Sequence, residues 1–175
     1  MHDTKIKPGD EIERHTLTVL VDNEAGVLAR VVGLFSGRGY NIESLTVAEV
    51  DPMARTSRIT IVTSGTLQVI EQIEAQLRRL VPTHKVTNWT SAKVGIEREM
   101  ALIKVAGTGD KRVEALRMAD AFRARPVDTT HSSFVFEITG SPAKIDSFVD
   151  LMRPLGLVDV SRTGVAAISR GPEAM

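Results

Sequence analysis

Two short stretches hold the residues whose types and spacing suit chemistry. One is Asp22-Asn23-Glu24-Ala25-Gly26-Val27-Leu28-Ala29-Arg30, and the other is Gly39-Tyr40-Asn41-Ile42-Glu43-Ser44-Leu45-Thr46-Val47. The chemistry is recognition rather than bond-making. A free amino acid needs clustered N–H donors for its carboxylate, and the first turn of a helix opening at Ala25 offers unpaired amides at the positive end of the helix dipole. Gly26 would let a ligand approach that backbone with no Cβ in the way. The ammonium needs oxygen acceptors, which the side chains of Asn23 and Asn41 can supply. An aliphatic side chain needs a small dry pocket, for which Val27, Leu28, Ile42 and Leu45 are available. Each residue also has a plainer role: Asn23 as a helix cap, Gly26 as a tolerated interior glycine, Asn41 as a turn residue after Gly39. The conjunction of all of them is the more specific signal.

Other chemistries find no support, and no catalytic residue is assigned. His2, His15, His84 and His131 are scattered without metal-type spacing. Gly37-Arg38-Gly39 and Gly107-Thr108-Gly109 each begin a G-x-G pattern, but Ile42 and Arg112 stand where a dinucleotide fingerprint needs its third glycine. No serine sits in G-x-S-x-G. Thr108-Gly109-Asp110 reads as a helix start, with a second effector site there as the less favoured alternative.

The elements that must position these residues follow from periodicity. Thr16 to Val21 alternates as a strand, with Leu17, Val19 and Val21 on one face. Val27, Leu28, Val31, Leu34 and Phe35 recur at helical spacing between Ala25 and Arg38, and Gly39 stands where a left-handed cap belongs. Strands are expected over 42–50 and 57–63 around an Asp51–Arg55 hairpin loop, then a helix over 67–80 and a strand over 85–90. The order is β-α-β-β-α-β. The second half repeats it: strand 100–106, helix 110–123, strands 127–130 and 133–139 around His131-Ser132, a helix from Ser141-Pro142 to Met152, and one closing strand over 157–168. The fold class is α+β, two ferredoxin-like βαββαβ sandwiches in tandem. The expected organisation is a loose leader over 1–14, an effector-binding and dimerising domain over 15–92, and a C-terminal ferredoxin-like domain over 97–171.

Composition limits the partners. Lys+Arg and Asp+Glu are each 22 and aromatics only 4%, so neither charge nor stacking favours nucleic acid. There is no cysteine, which suits a cytoplasmic protein. No apolar run approaches membrane-spanning length, so no membrane partner is expected. Each half is small and leaves a sheet edge open, which favours an edge-to-edge homodimer.

The two opening stretches closely resemble the regulatory small subunit of acetohydroxyacid synthase, also called acetolactate synthase. The resemblance continues through Glu71-Gln72-Ile73-Glu74 with Gln76-Leu77, Val94, Glu97-Arg98-Glu99, Ser161-Arg162-Thr163-Gly164 and Ser169-Arg170-Gly171, and so spans about residues 15–171. It implies that the N-terminal domain is an ACT domain and that the chain has no catalysis of its own. It implies a catalytic large-subunit partner carrying thiamine diphosphate, FAD and Mg, and no cofactor in this chain. It implies an effector, most often valine, at the ACT dimer interface, with Asn23, Ala25, Gly26, Val27 and Leu28 from one protomer and Asn41 and Ile42 from the other. The alternative is a free-standing amino-acid-sensing ACT protein that regulates another enzyme or a transcription factor.

Overall fold

The computed structural model describes residues 11–92 and 95–175. It falls into two compact units, one of residues up to 96 together with 167–175 and the other of residues 97–166. The expected leader lies, for residues 1–10, outside the described residues.

In the first unit the chain runs β1 (Glu13–Asp22), α1 (Val27–Ser36), β2 (Ser44–Asp51), β3 (Thr56–Gly65), α2 (Leu67–Arg79), β4 (Thr83–Asn88) and a short α3 (Trp89–Ala92). The sheet order is β2-β3-β1-β4 with every pair antiparallel. This is the split βαβ arrangement, and both helices cover one sheet face. β1 starts earlier than its hydrophobic alternation implies, because Glu13 and Arg14 lie opposite Gly65 and Ser64 on β3. Leu17, Val19, Val21, Ile59 and Ile61 form the sheet side of the core. Val31 and Phe35 from α1 and Ile70, Ile73 and Leu77 from α2 close it.

The ends of both helices have local causes. Thr66 accepts the Val69 amide and caps α2. At the far end of α1, the Tyr40 amide donates to Phe35 O and the Gly39 amide to Ser36 O, with Gly39 at φ 69°. That is a Schellman closure, and Tyr40 packs edge-on against Phe35 at 6.2 Å as its apolar contact. Strand β4 stops at Asn88 rather than Thr90, because Asn88 Oδ1 accepts the Ser91 amide and starts α3. Trp89 is thereby turned inward, and its Nε1 donates to Thr18 Oγ1 at 2.7 Å.

The second unit repeats the topology with β5 (Gly95–Ala106), α4 (Gly109–Ala121), β6 (Arg125–Thr129), β7 (Ser133–Gly140), α5 (Pro142–Met152), a 3-10 turn (Arg153–Leu155) and β8 (Leu157–Arg162). Its sheet order is β6-β7-β5-β8. Strand β9 (Ala166–Ser169), most of which is counted with the first unit, pairs with β5. The core here is aromatic: Phe134, Phe136 and Phe148 meet Ile103, Ile138 and Ile145. The single closing strand expected over 157–168 is in fact two. The chain breaks at Gly164, which has φ 84°, and the preceding Thr163 amide donates to Met100 O. Helix α4 also ends before Arg123, whose φ of 56° closes it in the same Schellman pattern that Gly39 gives α1. The Ala124 amide donates to Ala119 O and the Arg123 amide to Asp120 O. Arg162 binds Glu99 through two nitrogens at 2.8 and 2.7 Å and Asp146 through a third at 2.6 Å. The Glu99 hydrogen bond above all holds the guanidinium charged to well above its usual range.

Candidate functional site

The loop between β1 and α1 is fixed on two sides before the helix begins. The Asp22 amide donates to Pro82 O, and the Asp22 carboxylate meets His84 Nε2, so the start of β4 holds one flank. The Asn23 amide donates to Arg55 O at 2.7 Å, so the β2–β3 hairpin holds the other. From α1 itself, Arg30 donates to Val81 O at 2.9 Å.

Gly26 is the N-cap of α1, at φ 86° and ψ −6°, with no side-chain cap. The plainer role of a glycine inside the helix is thereby removed: this backbone is left-handed, where L side chains are strained. A Cβ built on Gly26 would meet nothing within 4 Å, so the approach to the backbone is open. The amides of Ala25, Gly26, Leu28 and Ala29 have no acceptor among the described residues. They are donors at the positive end of a helix, free to take an anionic group. Asn23 does not cap the helix. Its Nδ2 donates to Glu49 Oε1 at 3.1 Å, which leaves Oδ1 as an acceptor without a partner among the described residues. Val27 turns its side chain into the core and enters the loop only through its backbone, whereas Leu28 is 41% exposed on the outer side of α1.

The second stretch follows the closure of α1. Asn41 is exposed, its carbonyl accepts from Thr63 Oγ1 at 2.6 Å, and its side-chain amide has no partner among the described residues. Ile42 and Leu45 are half-buried against the core. Glu43 is held by Ser64 Oγ and by Arg14 at 3.3 Å.

The structure does not bring the two stretches together within one copy. The 10 residues of α1 separate them by about 15 Å. Along β3, Thr56 lies beside Asp22 and Val62 beside Ser44, six residues apart, or roughly 20 Å. A single amino acid cannot touch both. Glu49 near the end of β2 does touch Asn23, so the end of β2, not its start, adjoins the loop. Among the described residues there is no cluster of three side chains able to hold a metal ion, and no helix is long and apolar enough to cross a membrane.

Comparison with known proteins places this geometry in a family. Residues 17–85 match the ACT domain of acetohydroxyacid-synthase small-subunit type, and residues 98–171 match the small subunit of acetolactate synthase. The chain belongs to the acetolactate synthase small-subunit family. It is 47% identical over 158 residues to a probable acetolactate synthase small subunit of Archaeoglobus fulgidus, covering 90% of this chain and 98% of that protein. It is 43% identical over 163 residues to the small subunit of acetolactate synthase isozyme 3 of Escherichia coli, covering 93% and 99%. The crystal structure of the acetolactate synthase small subunit from Thermotoga maritima superposes with a TM-score of 0.80 at 36% identity, covering 92% of this chain and 99% of that one. The first unit of this small-subunit family member is thus an ACT domain, and the two ferredoxin-like units expected from its sequence are present.

Proposed function

We propose that this chain is the non-catalytic regulatory subunit of acetohydroxyacid synthase, acting in branched-chain amino-acid biosynthesis in the cytoplasm. It docks on the catalytic large subunit, activates it, and makes it responsive to valine or a related branched-chain amino acid. Thiamine diphosphate, FAD and Mg belong to that partner. Residues 15–92 form the effector-binding and dimerising ACT domain, and residues 97–171 the C-terminal domain.

The observation that carries this reading is the separation of the two half-sites. Asn23, Ala25, Gly26, Val27 and Leu28 form one end of the domain and Asn41 and Ile42 the other, too far apart for one copy to close a pocket on a small zwitterion. Two copies solve the geometry. Strand β2 is a sheet edge, and Val47 and Val50 on it are 44% and 46% exposed. A two-fold axis pairs an edge strand with its own copy antiparallel. The start of one β2 then lies beside the end of the other, where Glu49 already touches Asn23. Asn41 and Ile42 of one copy thereby face the Gly26 loop of the next. The carboxylate of the effector lies on the free amides after Gly26, the ammonium on the asparagine oxygens, and the aliphatic group against Leu28, Ile42 and Leu45. A ligand that bridges two copies favours one arrangement of the dimer over others. Coupling of about 1–3 kcal/mol suffices to regulate the docked enzyme.

Calorimetric titration with L-valine tests the site. The wild-type chain is expected to bind, and Gly26→Asp and Asn41→Ala to bind at least tenfold more weakly, about the effect of one lost hydrogen bond to a charged group. Undiminished binding in both variants removes the assignment. Valine-dependent activity of the catalytic subunit, assayed with and without this chain, tests the regulatory role.

A further inference from the structure

On strand β2, Leu45 lies opposite Ile61 and Val47 opposite Ile59, both on the helix-covered face of the sheet. The next residue on that face is Glu49, opposite Ser57, and Ser57 in turn lies opposite Val21 on β1. Asn23 lies just past the end of β1, two residues after Val21, and its side chain reaches Glu49. The apolar row of β2 therefore ends in a carboxylate beside the effector loop. Its register shifts immediately afterwards, between Glu49 and Asp51.

An asparagine amide can present either its oxygen or its NH2 group to a ligand, and on an exposed loop it turns between the two. Glu49 removes that freedom. An ionised carboxylate is acceptor-only, so it takes the Asn23 NH2 group and leaves Oδ1 turned away. The backbone of Asn23 is fixed separately by Arg55 O, so the hairpin sets both the position and the rotation of this side chain. We propose that Glu49 is a positioning residue, which orients Asn23 so that the site accepts a protonated amine and rejects the same carbon skeleton without one. This inference rests on the valine-binding reading. It adds to it a source of selectivity for the ammonium, strengthened by the charge of Glu49 itself, which favours a cation beside it.

The test titrates the 175-residue chain with L-valine and with isovalerate, which is valine lacking its ammonium. Glu49→Ala is expected to weaken valine about ten- to hundredfold, leave isovalerate within about twofold, and leave thermal unfolding unchanged because Glu49 is exposed. Glu49→Gln, which keeps the side chain's length, controls for local packing and is expected to fall between wild type and Glu49→Ala. Adding Asn23→Asp to Glu49→Ala is expected to restore most of the affinity, since an aspartate offers an acceptor whichever way it turns. A merely structural role would not produce that rescue. Equal valine affinity in wild type and Glu49→Ala, or equal loss of valine and isovalerate, overturns the proposal and leaves the site assignment standing. No valine binding by the wild-type chain overturns both.

Discussion

Gly26 occupies a backbone conformation that only glycine adopts without strain, at a point where an added Cβ would touch nothing. Those two properties separate its structural role from the binding role proposed for it. Gly26→Ala is expected to lower stability by about 1–2 kcal/mol from the left-handed conformation alone, with no further loss from packing. If the backbone amides after Gly26 hold the effector carboxylate, the same methyl group stands at their entrance, and valine affinity falls by more than the stability change explains. Urea unfolding and valine titration of the one variant measure the two effects independently. The presence of a glycine here was evident in the sequence, but its conformation was not, because helical periodicity reads Ala25 to Arg38 as continuous. Likewise, Val27 fits the helical stripe and a pocket wall equally well in sequence, and only the packing shows its side chain committed to the core. Glu49 carried no signal of its own. A lone acidic residue near a strand end reads as solvated surface until its register with Ser57 and Val21 is known.

At the scale of elements, the strands and helices of the first unit were legible because alternation and 3.6-residue spacing are unmixed there, and because Gly39 and Thr66 are conventional stop and start residues. In the second unit, one failure occurs where an unconventional residue does the same job. Arg123 closes α4 with the two hydrogen bonds that Gly39 makes for α1, at a φ of 56° that a glycine would have announced. The break between β8 and β9 did leave a trace, the polar run Ser161-Arg162-Thr163 before Gly164, but apolar residues on both sides of it read as one strand. The Arg123 closure gives a prediction with a definite sign. Its side chain is exposed and the pair of backbone bonds does not need it, so Arg123→Gly relieves a left-handed arginine without removing a contact. A gain of about 0.5–1 kcal/mol is expected, the penalty of a side chain in this region less the added freedom of the unfolded chain. The converse change at the matching position, Gly39→Ala, is expected to cost about 1 kcal/mol. Thermal unfolding of the two variants against wild type checks both signs. Equal shifts in the same direction would mean that the two closures are not equivalent.

At the scale of the whole molecule, the proposed dimer would link the ACT domain to its proposed effector. The strand β2 edge leaves Val47 44% exposed on the helix-covered face, so a charge at this position is tolerated by a single copy. In an antiparallel β2–β2 pair the same position lies near the two-fold axis, where its counterpart from the other copy approaches. Val47→Asp therefore places two like charges together in a seam being desolvated, a device that open sheet edges use against pairing. The variant is expected to fold with near-wild-type circular dichroism and to sediment as a monomer, and the wild type is expected to sediment as a dimer. Its valine affinity is expected to fall with dimerisation, because each copy alone retains only the Gly26 loop or only Asn41 and Ile42 at any one place. The linkage also runs in reverse. Ligand that binds only the dimer stabilises it by mass action, by about 2.7 kcal/mol at a hundredfold excess over the dissociation constant, so saturating valine should draw part of the variant back into dimers. Sedimentation with and without valine, at matched protein concentration, decides the matter. A Val47→Asp monomer that binds valine as tightly as wild type would show that one copy suffices, and the two half-sites would then have to be assigned to different ligands.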